Sequence, residues 1–233
     1  MRYSLESASD YFGSIAGSYD SLIRRAVPRY GEMLARLVDF LPPAAERILE
    51  LGCGTGNLSL ALAARYPGAS LTYVDASSEM LMVTGARLRE QDPEFAARGR
   101  PRPCRFEEIS PSDGPFDLVV SSISMHHVAD KAALYRTVHA LVPPGGTFRW
   151  ADQLRGGSPQ IHERIWTRWL EFCREPGNCS EEEIHSLLEH AETHDHYTPL
   201  AEHLRMLEAA GFAPVDCVWR DGMWGVVTAD RGR

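Results

Sequence analysis

The stretch Ile48-Leu49-Glu50-Leu51-Gly52-Cys53-Gly54-Thr55-Gly56-Asn57 restricts the fold more than any other part of the chain. An apolar run over 47–51 reads as a buried strand, and glycines in a strand body would weaken it, so the strand ends at Leu51. Three alternate glycines then make a tight turn in which the main chain can be approached closely, with no side chain in the way. LSLALAARY (58–66) follows as a helix. A glycine turn between strand and helix lies at the carboxyl end of its strand, where open α/β sheets bind their ligands.

The spacing narrows the ligand. Glycines at 52, 54 and 56 do not make the Gly-x-Gly-x-x-Gly dinucleotide fingerprint, and no lysine follows to make a phosphate loop. The next strand, SLTYVD (70–75), ends on Asp75. A carboxylate at that strand tip can accept hydrogen bonds from a ribose diol, so the pair of features points to a nucleoside.

The alternation continues along the chain. SEMLMVTGARLRE (78–90) is a helix capped by Ser77 or Ser78, and FDLVVSS (116–122) is a strand. KAALYRTVHALV (131–142) is an amphipathic helix, and GTFRWAD (146–152) is a strand after the Pro143–Gly146 turn. CRFEEI (104–109) is read as a further strand and the Arg/Pro segment 98–105 as a solvated loop. Helices are expected over 8–19 and 29–41, the second opened by Pro28 and stopped by Pro42-Pro43. Between 156 and 197 the alternation gives way to two helical segments rich in Trp, His and Glu. A helix closed by Gly211 and two strands joined at Asp221-Gly222 end the chain. The expected fold is α/β: a three-layer sandwich around a mostly parallel sheet that ends in an antiparallel hairpin. The 233 residues suit a single domain over 1–233, with a helical cap at 1–44 and a helical lid insertion at 156–197.

A net charge of −8 with scattered basic residues speaks against a broad nucleic-acid surface. No stretch approaches 18 apolar residues, so no membrane span is expected. Five spaced cysteines without a Cys-x-x-Cys pair, behind a start with no apolar signal core, read as reduced thiols of a cytoplasmic protein. A homodimer is compatible with this composition.

Glu50-Leu51-Gly52-Cys53-Gly54-Thr55-Gly56 resembles motif I of the class I S-adenosylmethionine-dependent methyltransferases. Asp75 is similar to the motif II acid, FDLVVSS to the fourth-strand motif, and VDCVWRDGMWGVVTA to the reversed β6–β7 pair, which implies a seven-stranded sheet. The opening FGSIAGSYDSLIRRAVPRY is also similar to the small-molecule subgroup that includes the carboxy-S-adenosylmethionine-using tRNA uridine-oxyacetate enzymes. The resemblance implies S-adenosyl-L-methionine as cofactor. Gly52, Cys53, Gly54 and Gly56 would lie under its methionine and ribose, Asp75 would hold the ribose, and Ala76 and Met80 would flank the adenine. Glu107 or Glu108 stands where an acid near the adenine amino group is expected, and Ser121 or Ser122 would line the fourth strand's end. Tyr19 and Tyr30 would close over the cofactor, although Tyr30 can also be read as core.

SISMHHV places His126 and His127 just past the fourth strand, where one of them could serve as a base toward an acceptor. Trp166, Trp169, Phe172 and His162 could wall an acceptor pocket or form an ordinary buried stripe. The histidines at 185, 190, 194, 196 and 203 repeat no known metal spacing, so no metal is assigned from sequence. The expected function is methyl transfer to a small-molecule acceptor. Alternatives are carboxymethyl transfer or intramolecular cyclisation with the same cofactor, a tRNA-modifying enzyme, or a non-catalytic binding module.

Overall fold

A computed structural model describes residues 8–233; the first seven residues of the expected 1–44 cap lie outside the described residues. The chain opens with α1 (Ala8–Ile15), α2 (Tyr19–Ala26) and α3 (Tyr30–Asp39). The single helix expected over 8–19 is therefore divided, with a turn at 16–18 in which the Ser18 amide donates to Ile15 O. Pro28 sits in the turn before α3, because Arg29 takes a left-handed conformation and the helix starts at Tyr30.

Next come β1 (Arg47–Leu51), α4 (Asn57–Arg65), β2 (Ser70–Asp75), α5 (Ser78–Gln91), the short α6 (Pro93–Ala96) and β3 (Gly99–Pro103). The central part then runs through β4 (Leu118–Ser122), α7 (Lys131–Leu141) and β5 (Thr147–Gln153). Helices α8 (Pro159–Cys173), α9 (Glu181–His194) and α10 (Leu200–Ala210) precede β6 (Val215–Asp221) and β7 (Trp224–Asp230). The sheet has seven strands in the order β3-β2-β1-β4-β5-β7-β6, parallel except for β7, which runs antiparallel to both β5 and β6.

One expectation is corrected in the third strand. It is Gly99–Pro103, inside the segment read as a loop, while 106–108 forms a 3-10 turn and not a strand. Pro101 and Pro103 lack a backbone donor, yet β3 is an edge strand paired only with β2, where that deficit is tolerated.

Alternate strand residues feed two cores, one on each sheet face. Ile48, Leu71, Leu118, Val120 and Val226 pack with Met33, Leu37, Leu62, Leu81 and Leu88 from α3, α4 and α5. Leu49, Val74, Val119, Phe148 and Val227 pack on the other face with Leu134, Tyr135 and Val138 of α7 and Leu207 of α10. Helix layers over both faces are what parallel strands with continuous apolar runs require. β1 lies between β2 and β4, which lead to opposite sides of the sheet, so its carboxyl end is the crevice of the fold. Among the described residues no helix is long and apolar enough to cross a membrane.

Candidate functional site

The turn after β1 is made by glycines with different duties. All three have positive φ: +69° at Gly52, +53° at Gly54 and +86° at Gly56. A Cβ on Gly52 would meet the Ser124 Cβ at 2.3 Å, and one on Gly56 would meet Thr84 Oγ1 at 2.9 Å. A Cβ on Gly54 would meet only the Tyr19 ring, at 3.9 Å. The outer glycines thus allow close packing behind the turn, whereas the middle one leaves the main chain open on the cavity side.

Asp75, at the tip of β2, is tied to this turn. Its Oδ2 accepts from the Gly54 amide at 2.9 Å and its Oδ1 from the Ser77 amide at 2.9 Å. Each carboxylate oxygen keeps a further lone pair, and these are the acceptors a ribose diol needs. Burial pushes the Asp75 pKa up, opposed by hydrogen bonds from the Ser77 and Gly54 amides. Ser77 caps α5 by accepting from the Met80 amide at 3.2 Å, which fixes Met80 against the same space. Helix α2 docks on the turn through Asp20, which accepts from Thr55 Oγ1 and Asn57 Nδ2 and pairs with Arg87 at 2.7 Å.

These elements enclose a cavity of about 360 Å³. Tyr19, Tyr30, Gly52, Cys53, Gly54, Asp75, Ala76, Met80, Glu107, Ser122 and His127 line it. Four of the residues expected to bind cofactor or act as base do not. Gly56 is the N-cap of α4, beneath Thr84. Glu108 turns back to accept from the Arg105 amide at 2.7 Å, so of the two acids only Glu107 faces the cavity. Ser121 is buried behind the turn, donating to Leu51 O at 2.9 Å. His126 is buried one layer behind His127.

Residues not anticipated also line the cavity, among them Phe12, Glu50, Asn57, Arg105, His194 and His196. Glu50 had a signal, as an acid inside an apolar strand. Burial pushes its pKa up to about 8, opposed by a hydrogen bond from Ser59 Oγ at 2.5 Å. Phe12 and Arg105 had none, since only the fold brings them to this wall. The aromatic residues of α8 take the structural option. Trp169 is buried and donates from Nε1 to Ala26 O at 2.8 Å, and Trp166 packs beside it at 4.9 Å between ring centroids. Trp166, Trp169, Phe172 and His162 are not among the residues lining the cavity: the first three pack in or against the core beneath α2, and His162 lies beside Trp166 and Tyr197.

Opposite the glycine turn lies a polar cluster. His126 Nδ1 meets Asp152 Oδ1 at 2.5 Å, while Asp152 Oδ2 accepts from the amides of Ser124 and His126 at 3.2 and 3.1 Å. Asp195, just past α9, holds its Oδ1 3.1 Å from His127 Nδ1 and 3.6 Å from His190 Nε2. Burial lowers the His126 pKa, but the carboxylates of Asp152 and Asp195 outweigh it and the net shift is upward. Burial and the neighbouring His126 hold His127 below its ordinary value. His190, chiefly through burial, is pushed down to about 3.

A glycine cradle with an acid on the next strand, at the carboxyl edge of this sheet order, defines the class I S-adenosylmethionine-dependent methyltransferase fold. A family model described as "Methyltransferase domain" matches residues 49–148. A malonyl-[acyl-carrier protein] O-methyltransferase of Magnetococcus marinus is 31% identical over 147 residues, 63% of this chain and 50% of the relative. A carboxy-S-adenosyl-L-methionine synthase of Shewanella pealeana is 26% identical over 215 residues, 88% of this chain and 85% of the relative. Haemonchus contortus phosphoethanolamine N-methyltransferase 2, solved with S-adenosyl-L-methionine, shares the fold at a TM-score of 0.68 and 16% identity, covering 97% of this chain and 59% of that one. The chain spans about half the length of the O-methyltransferase relatives it matches, 50% and 42% in two of them. Residues 49–148 thus match a methyltransferase-domain model, and the fold is that of the class I S-adenosylmethionine-dependent methyltransferases, for which S-adenosyl-L-methionine is the cofactor the match implies. The residues fit that group: the open side of Gly54, the spare lone pairs of Asp75 and the apolar Met80 face one cavity.

Proposed function

We propose that this protein transfers the methyl group of S-adenosylmethionine to a small-molecule acceptor. One observation carries the reading: Gly54 and Asp75 line one wall of the cavity that His127 lines as well. When bound, the cofactor supplies an electrophilic sulfonium carbon. The chain's own task is then binding, orientation and exclusion of water. The Gly52–Gly56 turn, Cys53 and Ser122 hold the methionine end, Asp75 the ribose, and Ala76, Met80 and Glu107 the adenine. Tyr19, Tyr30 and Phe12, with the end of α9, close the cavity above them. His127 is the group of the histidine pair that meets the acceptor, and His126 is a positioning residue held by Asp152.

The net charge of −8 and a cavity lined, among the described residues, by Arg105 as its one arginine or lysine support a small acceptor over tRNA. Five free cysteines support a reducing compartment, the cytoplasm. A second reading, carboxymethyl chemistry on the same cofactor, is favoured by the 85% coverage of the carboxy-S-adenosyl-L-methionine synthase relative. Mass spectrometry of reactions with S-adenosylmethionine and a panel of small hydroxylated acceptors, with and without small carboxylic acids as carboxyl donors, separates the two. Release of S-adenosylhomocysteine together with a methylated acceptor is expected. A carboxylated cofactor, or methylthioadenosine from intramolecular attack, would replace the reading. A gel shift finding sub-micromolar tRNA binding that falls steeply with salt would overturn the small-acceptor part.

A further inference from the structure

The cluster behind the acceptor wall is arranged differently from a hydrogen-bonded network. Asp195 is 4% exposed at its side chain and His126 5%, so both are nearly removed from water. Asp195 Oδ2 accepts from Tyr197 Oη at 2.5 Å, yet Oδ1 has no hydrogen-bond partner. His127 Nδ1 and both ring nitrogens of His190 are likewise buried without one. His127 Nδ1 stands 3.1 Å from Asp195 Oδ1 without hydrogen-bond alignment, and His126 Nε2 stands 3.8 Å from the same oxygen. Buried polar atoms are nearly always satisfied, and His127 Nδ1 and His190 Nε2 both lie within 3.6 Å of the orphaned Asp195 Oδ1, where one common partner would serve all three.

The spacing identifies that partner. His126, His127 and Asp195 each offer one ligand atom, and the three atoms lie within 4.8 Å of one another. Donors bound tetrahedrally at about 2.0–2.1 Å lie about 3.3 Å from each other. The separations from Asp195 Oδ1, 3.1, 3.8 and 3.6 Å to His127, His126 and His190, bracket that value. The outer contacts are of the kind that orient metal ligands. Asp152 engages His126 Nδ1 and leaves Nε2 facing the cluster, and Tyr197 occupies the other oxygen of Asp195. The His196 amide donates to His126 O at 2.7 Å and ties the Asp195 segment to the histidine turn.

We propose that His126 Nε2, His127 Nδ1 and Asp195 Oδ1 bind one divalent first-row transition-metal ion, with His190 Nε2 as a further donor. Two imidazoles and one carboxylate suit zinc, iron(II) or cobalt(II) and disfavour calcium and magnesium, which take oxygen ligands. Because His127 lines the cavity, the ion would stand at the acceptor wall. There it would hold an acceptor bearing a hydroxyl oxygen and acidify it, the proton leaving to solvent. That role rests on the methyltransferase reading; the ion site does not.

The test uses full-length, tag-free protein, stripped with chelator and titrated with Zn²⁺ or Co²⁺. About one tight equivalent per chain and a visible cobalt d–d absorption are expected. Asp195→Asn and His127→Ala should each weaken binding at least tenfold. Asp152→Asn, which touches no ion, should weaken it about 10–100-fold by releasing His126. His185→Ala, at an exposed position on α9, should leave it unchanged. Circular dichroism verifies the fold of each variant. A folded wild-type protein that takes up neither ion, or equal affinity in wild type, Asp195→Asn and His127→Ala, overturns the site and leaves a plain imidazolium–carboxylate network. Calorimetry of S-adenosylmethionine with the stripped protein keeps the two readings apart. Cofactor binding without metal binding removes only the ion, and metal binding without methyl transfer removes only the assigned role.

Discussion

The two walls of the cavity are built by opposite strategies. The cofactor wall is local: Gly52 to Gly56 are consecutive, and Asp75 reaches them because β1 and β2 are hydrogen-bonded neighbours, with Leu51 opposite Val74. Its polar atoms are paired, Asp75 through two amides and Glu50 through Ser59. The acceptor wall gathers Phe12, His127 and His194 from three distant segments, backed by Asp152 and Asp195, and carries buried donors and acceptors without partners. A satisfied wall is a finished mould for one ligand. A wall with orphaned polar groups acquires its final arrangement from what binds there.

The comparison breaks most sharply at Gly52. Gly52→Val drives a branched side chain into Ser124 in a left-handed backbone region, and should lower unfolding stability by about 2–4 kcal/mol, read by denaturant titration. Gly54→Ala, with room for the methyl, should lose only the backbone strain of about 1–2 kcal/mol. Equal losses at the two positions would contradict the division of duties within the turn.

Asp75→Ala comes next. In the proposed function Asp75 serves the ribose, so its removal should weaken S-adenosylmethionine binding by about 1.5–3 kcal/mol in calorimetry, with Zn²⁺ affinity unchanged. A parallel loss of both would mean that the walls are not independent.

The smallest effect concerns the strap that joins α2 to α9. Arg25 donates to both oxygens of Glu183, at 2.8 and 2.6 Å, and to Asn178 O at 2.6 Å. This pairing, with the Ser180 amide, lowers the Glu183 pKa from 4.5 to about 2. The contribution is therefore complete above pH 4.5 and is lost as the pH falls through 2. Both side chains are partly exposed, so Glu183→Gln should lower stability by about 0.5–1 kcal/mol at pH 7, and by progressively less in acid. A loss that stays constant down to the acid limit would point to the N-cap of α9 and not to the ion pair.

The sequence by itself determined the strand–turn–helix at 47–65, the acid at 75, the hairpin at Asp221-Gly222 and the alternation of strands and helices between them. These depend on local rules, namely apolar runs, glycine conformations and turn residues, which are written in neighbouring positions. Only the tertiary structure decided that β3 uses a proline-rich segment, because being an edge strand is a property of the assembled sheet. It also decided that Glu107 and not Glu108, Ser122 and not Ser121, and His127 and not His126 face the cavity, since consecutive residues have the same composition but opposite directions. Asp152, Asp195 and the histidines they meet lie up to 69 positions apart, as in His126 and Asp195. No periodicity links such residues; they are joined only where the end of β5, the turn after β4 and the end of α9 meet, and burial there gives their charges consequence.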